Sequence, residues 1–161
     1  MASSVVSSVQ IAETIETALN ETSVKLLGLG LITEGITFNI TSDFQEYVEM
    51  ENAQGVEFTP GVLQMVGGEV GQAKGYSEFN DDYLLNIYGF HEQRDILRAI
   101  LNDYSVVQSQ LTEDINDWRV VKKYSRPTLI GPTLLHGVDR TIGTLLINYN
   151  FTEFGVGKND C

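Results

Sequence analysis

Two segments carry apolar residues at helical spacing and predict amphipathic helices. The first follows Ser7-x-x-Gln10, a pattern typical of a capping box, and runs from about Val9 to Asn20. The second begins near Glu92, whose charge in the first turn suits the helix dipole. Its apolar stripe is the clearest in the chain: Ile96, Leu97, Ile100, Leu101, Tyr104 and Leu111. We expect this long central helix to bury the stripe against a sheet.

Alternating apolar and polar residues predict strands before the central helix. Residues 36–41 alternate, and so do residues 47–51, which a turn and a return strand at 56–58 would complete as a β-hairpin. Residues 83–88 are apolar on both faces apart from Asn86. Such a run is typical of a central strand that is covered on both sides.

Two more strands are predicted after the central helix, at 118–124 and 142–151. An acidic break at 113–117 precedes them. Pro127 and Pro132 lie between them and predict a turn region, because the residue before a proline is pushed towards extended geometry.

Glycine is concentrated in the least regular part of the chain, from about 60 to 82. The residues concerned are Gly61, Gly67, Gly68, Gly71 and Gly75. Glycine at this density indicates either a flexible loop or arm, or a long flexible hairpin with bulges. In an assembly, such a segment could order on a neighbouring copy.

The order of these elements predicts an α+β fold in which helices pack on a mixed or mainly antiparallel sheet. We expect one domain over residues 1–161, with an N-terminal helix and one long central helix. The central helix should pack on sheet residues Leu85, Ile87, Leu145 and Ile147. Neither a transmembrane helix nor a signal peptide is expected, because apolar runs are short and the N-terminus has no basic region.

Charge is distributed unevenly along the chain, whose formal net charge is −12. Residues 1–117 hold 19 acids and 4 bases, a balance of −15, whereas residues 118–161 hold 3 acids and 6 bases, a balance of +3. One interpretation is a solvated acidic surface that favours solubility. The other is head-to-tail attraction between neighbouring copies. Gripping of a phosphate backbone is disfavoured, because it needs a clustered basic excess.

Residue patterns for catalysis or cofactor binding are weak. Gly28-x-Gly30 begins like a dinucleotide loop, but Thr33 stands where a third glycine belongs and no helix is predicted to follow, so a turn is favoured. The side chains that bind zinc are few and far apart: His91, His136 and Cys161. We therefore predict no catalytic, cofactor or metal site, and a protein that is not an enzyme.

Basic residues are the candidates for a protein interface. Arg94 and Arg98 are four positions apart on one side of the central helix, where they are either solvated or anchors for a neighbour's acidic face. The full set of candidates is Arg94, Arg98, Lys122, Lys123, Arg126 and Arg140.

A family resemblance is carried by the run 82–88, by the helix Glu92–Tyr104 into which it leads, and by the strand through 140–147. In size, in the order of its elements and in its pattern of residue types, the chain resembles the tail-terminator (tail-completion, neck) proteins of tailed bacteriophages. Phage tail-tube proteins are the nearest confusable class, and a tail-tube or baseplate structural protein is the alternative.

The resemblance implies a non-enzymatic virion protein that is assembled in the bacterial host cytoplasm. It implies a ring, expected to contain six copies, that caps the tail tube and joins it to the head connector proteins. DNA would pass without specific binding, and no membrane would be involved.

Two other classes remain open from the sequence. One is a small-ligand-binding regulatory α+β module, which would need a pocket lined by Tyr83, Tyr88 and Tyr104. The other is an enzyme whose site the sequence does not reveal.

Overall fold

The computed structural model describes residues 7–52, 58–73, 76–108, 112–115, 117–135 and 137–153. The helices are α1 (Ser8–Gly28), α2 (Phe44–Asn52) and α3 (Arg94–Gln108), the last preceded by a 3-10 turn (His91–Gln93). The strands are β1 (Phe38–Thr41), β2 (Thr59–Ala73), β3 (Tyr76–Phe90), β4 (Thr112–Ile115), β5 (Trp118–Tyr124), β6 (Thr128–Leu135) and β7 (Val138–Glu153).

In the described residues the strands form one mixed sheet with the order β1-β2-β3-β7-β5-β4, and β6 also pairs with β7. Only β1 and β2 are parallel; the remaining pairs are antiparallel. β5 pairs with residues 147–153 of β7 and β6 with residues 138–144, so β5 and β6 lie end to end along one edge of β7. The α+β class with a mixed sheet is confirmed.

The predicted core of the central helix is confirmed. Leu97, Ile100 and Leu101 of α3 are fully buried, and Tyr104 is 2% exposed. They share one hydrophobic cluster with the predicted sheet residues, all of which are at most 1% exposed: Leu85, Ile87, Leu145 and Ile147.

The N-terminal helix begins within one residue of the predicted start and ends eight residues later than predicted. The capping box is present: the Ser7 side chain accepts from Gln10 N, and the Gln10 side chain accepts from Ser7 N. Beyond Asn20, the buried Ser23 and Leu26 continue the helical face. Gly30 then stops the helix with φ +72°, a conformation that favours glycine. The glycine pair therefore terminates α1.

Side chains of α1 cover the outer edge of β1. Glu16 Oε1 accepts from Ile40 N at 2.8 Å, and Asn20 Oδ1 accepts from Phe38 N at 2.7 Å. Ser23 Oγ accepts from Ile36 N at 2.8 Å. Because these bonds satisfy the free backbone donors, this edge of the sheet is closed to another strand.

α2 is a helix where a β-hairpin was predicted from 47–51, and that prediction is wrong. The Asp43 side chain caps the helix by accepting from Gln45 N at 2.9 Å. Tyr47 is 3% exposed, and its ring centroid lies 5.1 Å from that of Tyr88 on β3. A helix at this position thus lets the Tyr47 side chain cover part of the sheet, which a strand at the edge of the sheet would not do.

The glycine-rich segment forms the long β2–β3 hairpin, so the loop alternative is wrong for the described residues. The register shifts between Met65 and Gly67, which agrees with the hairpin-with-bulges alternative. Close packing between paired strands explains some of these glycines. A Cβ on Gly61 would lie 2.6 Å from Ile40 Cδ1 of the neighbouring strand.

Two further predictions are corrected for the strands that lie beyond β7. The predicted acidic break contains β4, which pairs with β5 around Asp117, a residue with φ +66°. The predicted turn region between the prolines contains β6. Its register shifts between Ile130 and Thr133, so Pro132 falls where no ladder hydrogen bond is needed.

β3 is central, but its coverage differs from the prediction. Tyr83, Leu85 and Ile87 face the helices, whereas the opposite face is covered by α2 only near Tyr88. Asp82 on that opposite face is exposed.

Among the helices of the described residues, none is long and apolar enough to cross a membrane.

Some predictions fall outside the described residues. These are the positions of Leu111, His136 and Cys161, and most of the return strand at 56–58.

Candidate assembly surfaces

A groove with two arginines lies between α3 and the start of β6. Its volume is about 810 Å³, and we call it the arginine groove. The lining residues are Asp95, Arg98, Ala99, Asn102, Arg126, Pro127, Thr128 and Leu129. The structure therefore brings together two of the six predicted interface residues, Arg98 and Arg126.

The arginines of this region are weakly engaged within the chain. Arg98 Nη1 lies 3.8 Å from Asp95 Oδ1, and Arg94 Nε lies 3.6 Å from the same oxygen. All three side chains are well exposed, so these contacts are worth about 0–1 kcal/mol each. Arg126 is exposed and forms no ion pair with any described residue. The groove thus offers donors that intrachain bonds do not use.

Lys122 is an interior residue in this fold. Its side chain is 6% exposed, and Nζ lies 2.8 Å from Glu113 Oε1. Lys122 pairs across the sheet with Tyr149, so its aliphatic stem packs on the helix side while the charge meets β4. Periodicity alone could have indicated this, because Val120, Lys122 and Tyr124 alternate on one face of β5.

The remaining candidates do not join the arginine groove. Lys123 is exposed on the opposite face of the sheet. Arg140 donates from Nη1 to Tyr88 O at 3.1 Å, and its guanidinium carbon lies 4.3 Å from the centroid of the Phe90 ring. Cation–π and backbone contacts therefore hold Arg140 against β3.

An acidic groove lies at the other end of α3, beside the first half of α1. Its volume is about 420 Å³, and we call it the glutamate groove. The lining residues are Glu13, Thr14, Thr17, Ala18, Glu21, Gln108, Glu113 and Lys122. Glu13, Thr17 and Glu21 are exposed and spaced four apart, so they form one stripe. The four-residue spacing of this stripe is a signal in the sequence from which the stripe was not predicted.

Hydrogen-bonded polar side chains line the sheet face opposite α1 and α3. Asn148 Nδ2 donates to Asp82 Oδ1 at 2.7 Å and to Asn80 Oδ1 at 2.9 Å. Thr144 Oγ1 donates to Asn86 Oδ1 at 2.8 Å. We call this surface the open polar face. These bonds satisfy polar groups of the face without a covering layer.

Charge on the open polar face is balanced. Asp114 lies 3.6 Å from Arg119 across β4 and β5. Asp82 and Lys123 lie in one depression beside Leu146, which is 51% exposed. The described acids and bases of this region therefore leave no basic excess that would grip a phosphate backbone.

Buried tyrosines connect α3 to the sheet. The hydroxyl oxygens of Tyr104 and Tyr124 are 3.1 Å apart, and the two rings meet edge to face. Burial raises the pKa of Tyr104, Tyr124 and Tyr149, so these phenols remain protonated donors. The alternative ligand pocket is not formed, because Tyr83 and Tyr104 lie on the helix side while Tyr88 faces α2.

Asp81 is a buried carboxyl on the helix side of β3. It is 1% exposed, and its Oδ2 has no hydrogen-bond partner among the described residues. Burial, together with the charge of Asp82, raises the pKa of Asp81. A carboxyl in this setting costs stability when ionised.

His91 occupies the 3-10 turn before α3, where its Nδ1 lies 2.8 Å from Thr141 Oγ1. This contact ties the turn to β7 and does not cap α3. Among the described residues, no three His, Cys, Asp or Glu side chains are grouped closely enough to hold a metal ion.

No protein-family model matches the chain, and no curated protein matches it.

Proposed function

We propose that the chain is a non-enzymatic structural protein of a tailed-bacteriophage virion. In this role it forms a ring at the neck, caps the tail tube as a tail terminator and joins it to the head connector. The observation that carries the proposal is the two-sided sheet. One side is packed under helices that bear oppositely charged grooves, and the other is an open polar face with balanced charge.

Each side of the sheet suits one requirement of such a ring. A conduit for DNA must let phosphates pass without holding them, and a surface without basic excess does so. A ring also needs two different, complementary surfaces on each copy, because a heterologous contact repeats around an axis until it closes. The arginine groove and the glutamate groove supply surfaces of opposite sign.

A tail-tube or baseplate position is the nearest alternative. The described glycine-rich residues form the β2–β3 hairpin, which is compatible with either position, so the behaviour of the assembled rings separates the two. A terminator should form single rings, whereas a tube protein should stack into tubes.

The test is particle mass and shape. Six copies of the 17.9 kDa chain would give a particle of about 107 kDa by multi-angle light scattering, with a central opening in electron micrographs. Purified tails from the phage whose genome encodes the chain should bind this ring at one end. A chain that stays monomeric at every concentration and salt, and never binds those tails, would refute the proposal.

A further inference from the structure

The arginine groove is built to receive carboxylates from outside the chain. Arg98 and Arg126 lie on its two walls, one on α3 and one before β6. The side chain of Ala99 and the partly buried Leu129 supply an apolar floor between them. Arg98 has only a long contact of 3.8 Å to an exposed carboxylate, and Arg126 has no ion pair with a described residue. Guanidinium groups so placed can each bind a carboxylate through two N–H groups.

The glutamate stripe has the opposite, matching property. Glu13 and Glu21 are exposed, lie two helical turns apart on α1, and form no ion pair with any described residue. Thr17 lies between them, so the stripe is interrupted by a small side chain and not by a cation. Lys122, which lines the glutamate groove, pairs with Glu113 at 2.8 Å, and Lys25, one turn beyond Glu21 on α1, pairs with Asp103 at 3.2 Å.

The two surfaces cannot satisfy each other within one chain. Arg98 lies in the second turn of α3, and Gln108, which lines the glutamate groove, ends that helix. Arg98 and Gln108 are ten helical residues apart, which corresponds to about 15 Å. This distance exceeds both the length of a salt bridge and the screening length of about 8 Å at physiological salt. A second copy of the chain is the partner that carries this acidic stripe.

We propose that the arginine groove of one copy takes up the Glu13–Thr17–Glu21 stripe of the next copy, with Arg98 and Arg126 binding the two glutamates. This contact rests on the proposed ring and specifies its interface. Both surfaces lie on the helix side, so the contact leaves the open polar face free to line the conduit. Since the two surfaces differ, the contact is directional and repeats head to tail.

A charge-swap experiment tests the contact. One variant carries Arg98→Glu and Arg126→Glu, and a second carries Glu13→Arg and Glu21→Arg. Each alone should raise the concentration needed for half-assembly by about ten-fold, because two exposed ion pairs are replaced by repulsion. Mixed in equal amounts, the two variants should assemble again, because every interface in an alternating ring then joins opposite charges.

The matched control for the arginine variant carries Arg119→Glu and Lys123→Glu, which makes the same change in net charge but on the open polar face. It should assemble like the wild type. Circular dichroism and thermal unfolding confirm that each variant is folded, and light scattering at low and high salt measures assembly. Recovery on mixing does not depend on how much either variant loses alone, so it separates a direct contact from a general charge effect.

The outcomes separate this contact from the proposed function. If the wild type forms rings and both charge-swap variants assemble equally well, the contact is refuted and the ring stands. Failure of the folded variants to recover on mixing also refutes it. If the charges matter and mixing restores assembly, but the particle holds only two copies, the contact stands and the ring proposal fails. A wild type that is always monomeric refutes both.

Discussion

Leu101 of α3 and Gly143 of β7 meet in a contact that supports a double-mutant test of the core. Leu101 is fully buried. A Cβ atom added to Gly143 would lie 2.8 Å from Leu101 Cδ1, closer than two carbon atoms approach without displacement. The next neighbours are at ordinary contact distance: Leu97 Cδ2 at 3.6 Å and Ile87 O at 3.9 Å. Leu101 therefore decides whether position 143 can accept a methyl group.

The magnitudes follow from this geometry. Leu101→Ala should lower the free energy of unfolding by about 2–5 kcal/mol, through lost burial and the cavity left behind. Gly143→Ala alone should lower it by about 1–3 kcal/mol, because the packed leucine must move. In the Leu101→Ala background the clash is gone and the new methyl fills part of the cavity. The double variant should then be about 1–3 kcal/mol more stable than the sum of the single effects predicts.

Urea denaturation of all four proteins measures this coupling. Fluorescence and circular dichroism should be followed at one protein concentration, because assembly also stabilises the folded state. Gly28→Ala is the control, since a Cβ there would have no atom within 4 Å, and its effect should be the same in both backgrounds. Additive effects of the Leu101 and Gly143 substitutions, within about 0.5 kcal/mol, would refute the contact.

Three further predictions concern polar groups. Asp81→Asn should raise the free energy of unfolding by about 1 kcal/mol at pH 7. Because the pKa of Asp81 is raised in the folded state, this advantage should be absent below about pH 4 and grow as the pH rises through the folded pKa. A difference that does not depend on pH would contradict the prediction. Glu113→Gln should destabilise the protein more than Lys122→Met in urea denaturation, because the former leaves a buried ammonium unpaired while the latter removes it. The reverse order would contradict this reasoning. His91→Gln should leave assembly intact and lower the free energy of unfolding by under about 1.5 kcal/mol, through loss of the contact with Thr141. Loss of assembly in a folded variant, measured by light scattering, would overturn a purely structural role.

The parts of the fold that the sequence predicted are those with a long, unambiguous period. The α3 stripe and the alternating face of β7 each extend over several turns or residue pairs, so burial and pattern agree. The capping box predicted the start of α1 for the same reason, since it depends only on local hydrogen bonds.

The errors arose where local pattern and tertiary contact diverge. Residues 47–51 alternate like a strand, yet the Asp43 cap and the burial of Tyr47 against Tyr88 select a helix. At the far edge, Pro132 predicted a turn, but the register shift in β6 accommodates it within a strand. Each outcome depends on a partner distant in sequence, which periodicity does not record.

The candidate surfaces were predicted only in part for a related reason. Sequence charge divides near residue 118, but the fold distributes the basic residues over the interior, both faces and one edge of the sheet. Arg98 and Arg126 come together because β6 follows β5 along β7 and passes beside α3. Charge segregation along a chain thus becomes a surface only through topology.

The edges of the sheet bear on how copies can join. α1 side chains satisfy the backbone donors beside β1, and β6 carries a proline and a register shift at its centre, so these two edges are guarded against addition of a strand. In the described residues, β4 and residues 63–73 of β2 are further edges that pair with a strand on one side only. Backbone pairing is therefore disfavoured at β1 and β6, so copies can join either through the edges of β2 and β4 or through side-chain contacts between grooves. Contacts of that kind respond to ionic strength, whereas added strands do so only weakly. Assembly that weakens steadily from low to high salt would agree with this reasoning, and salt-independent assembly would point to edge pairing.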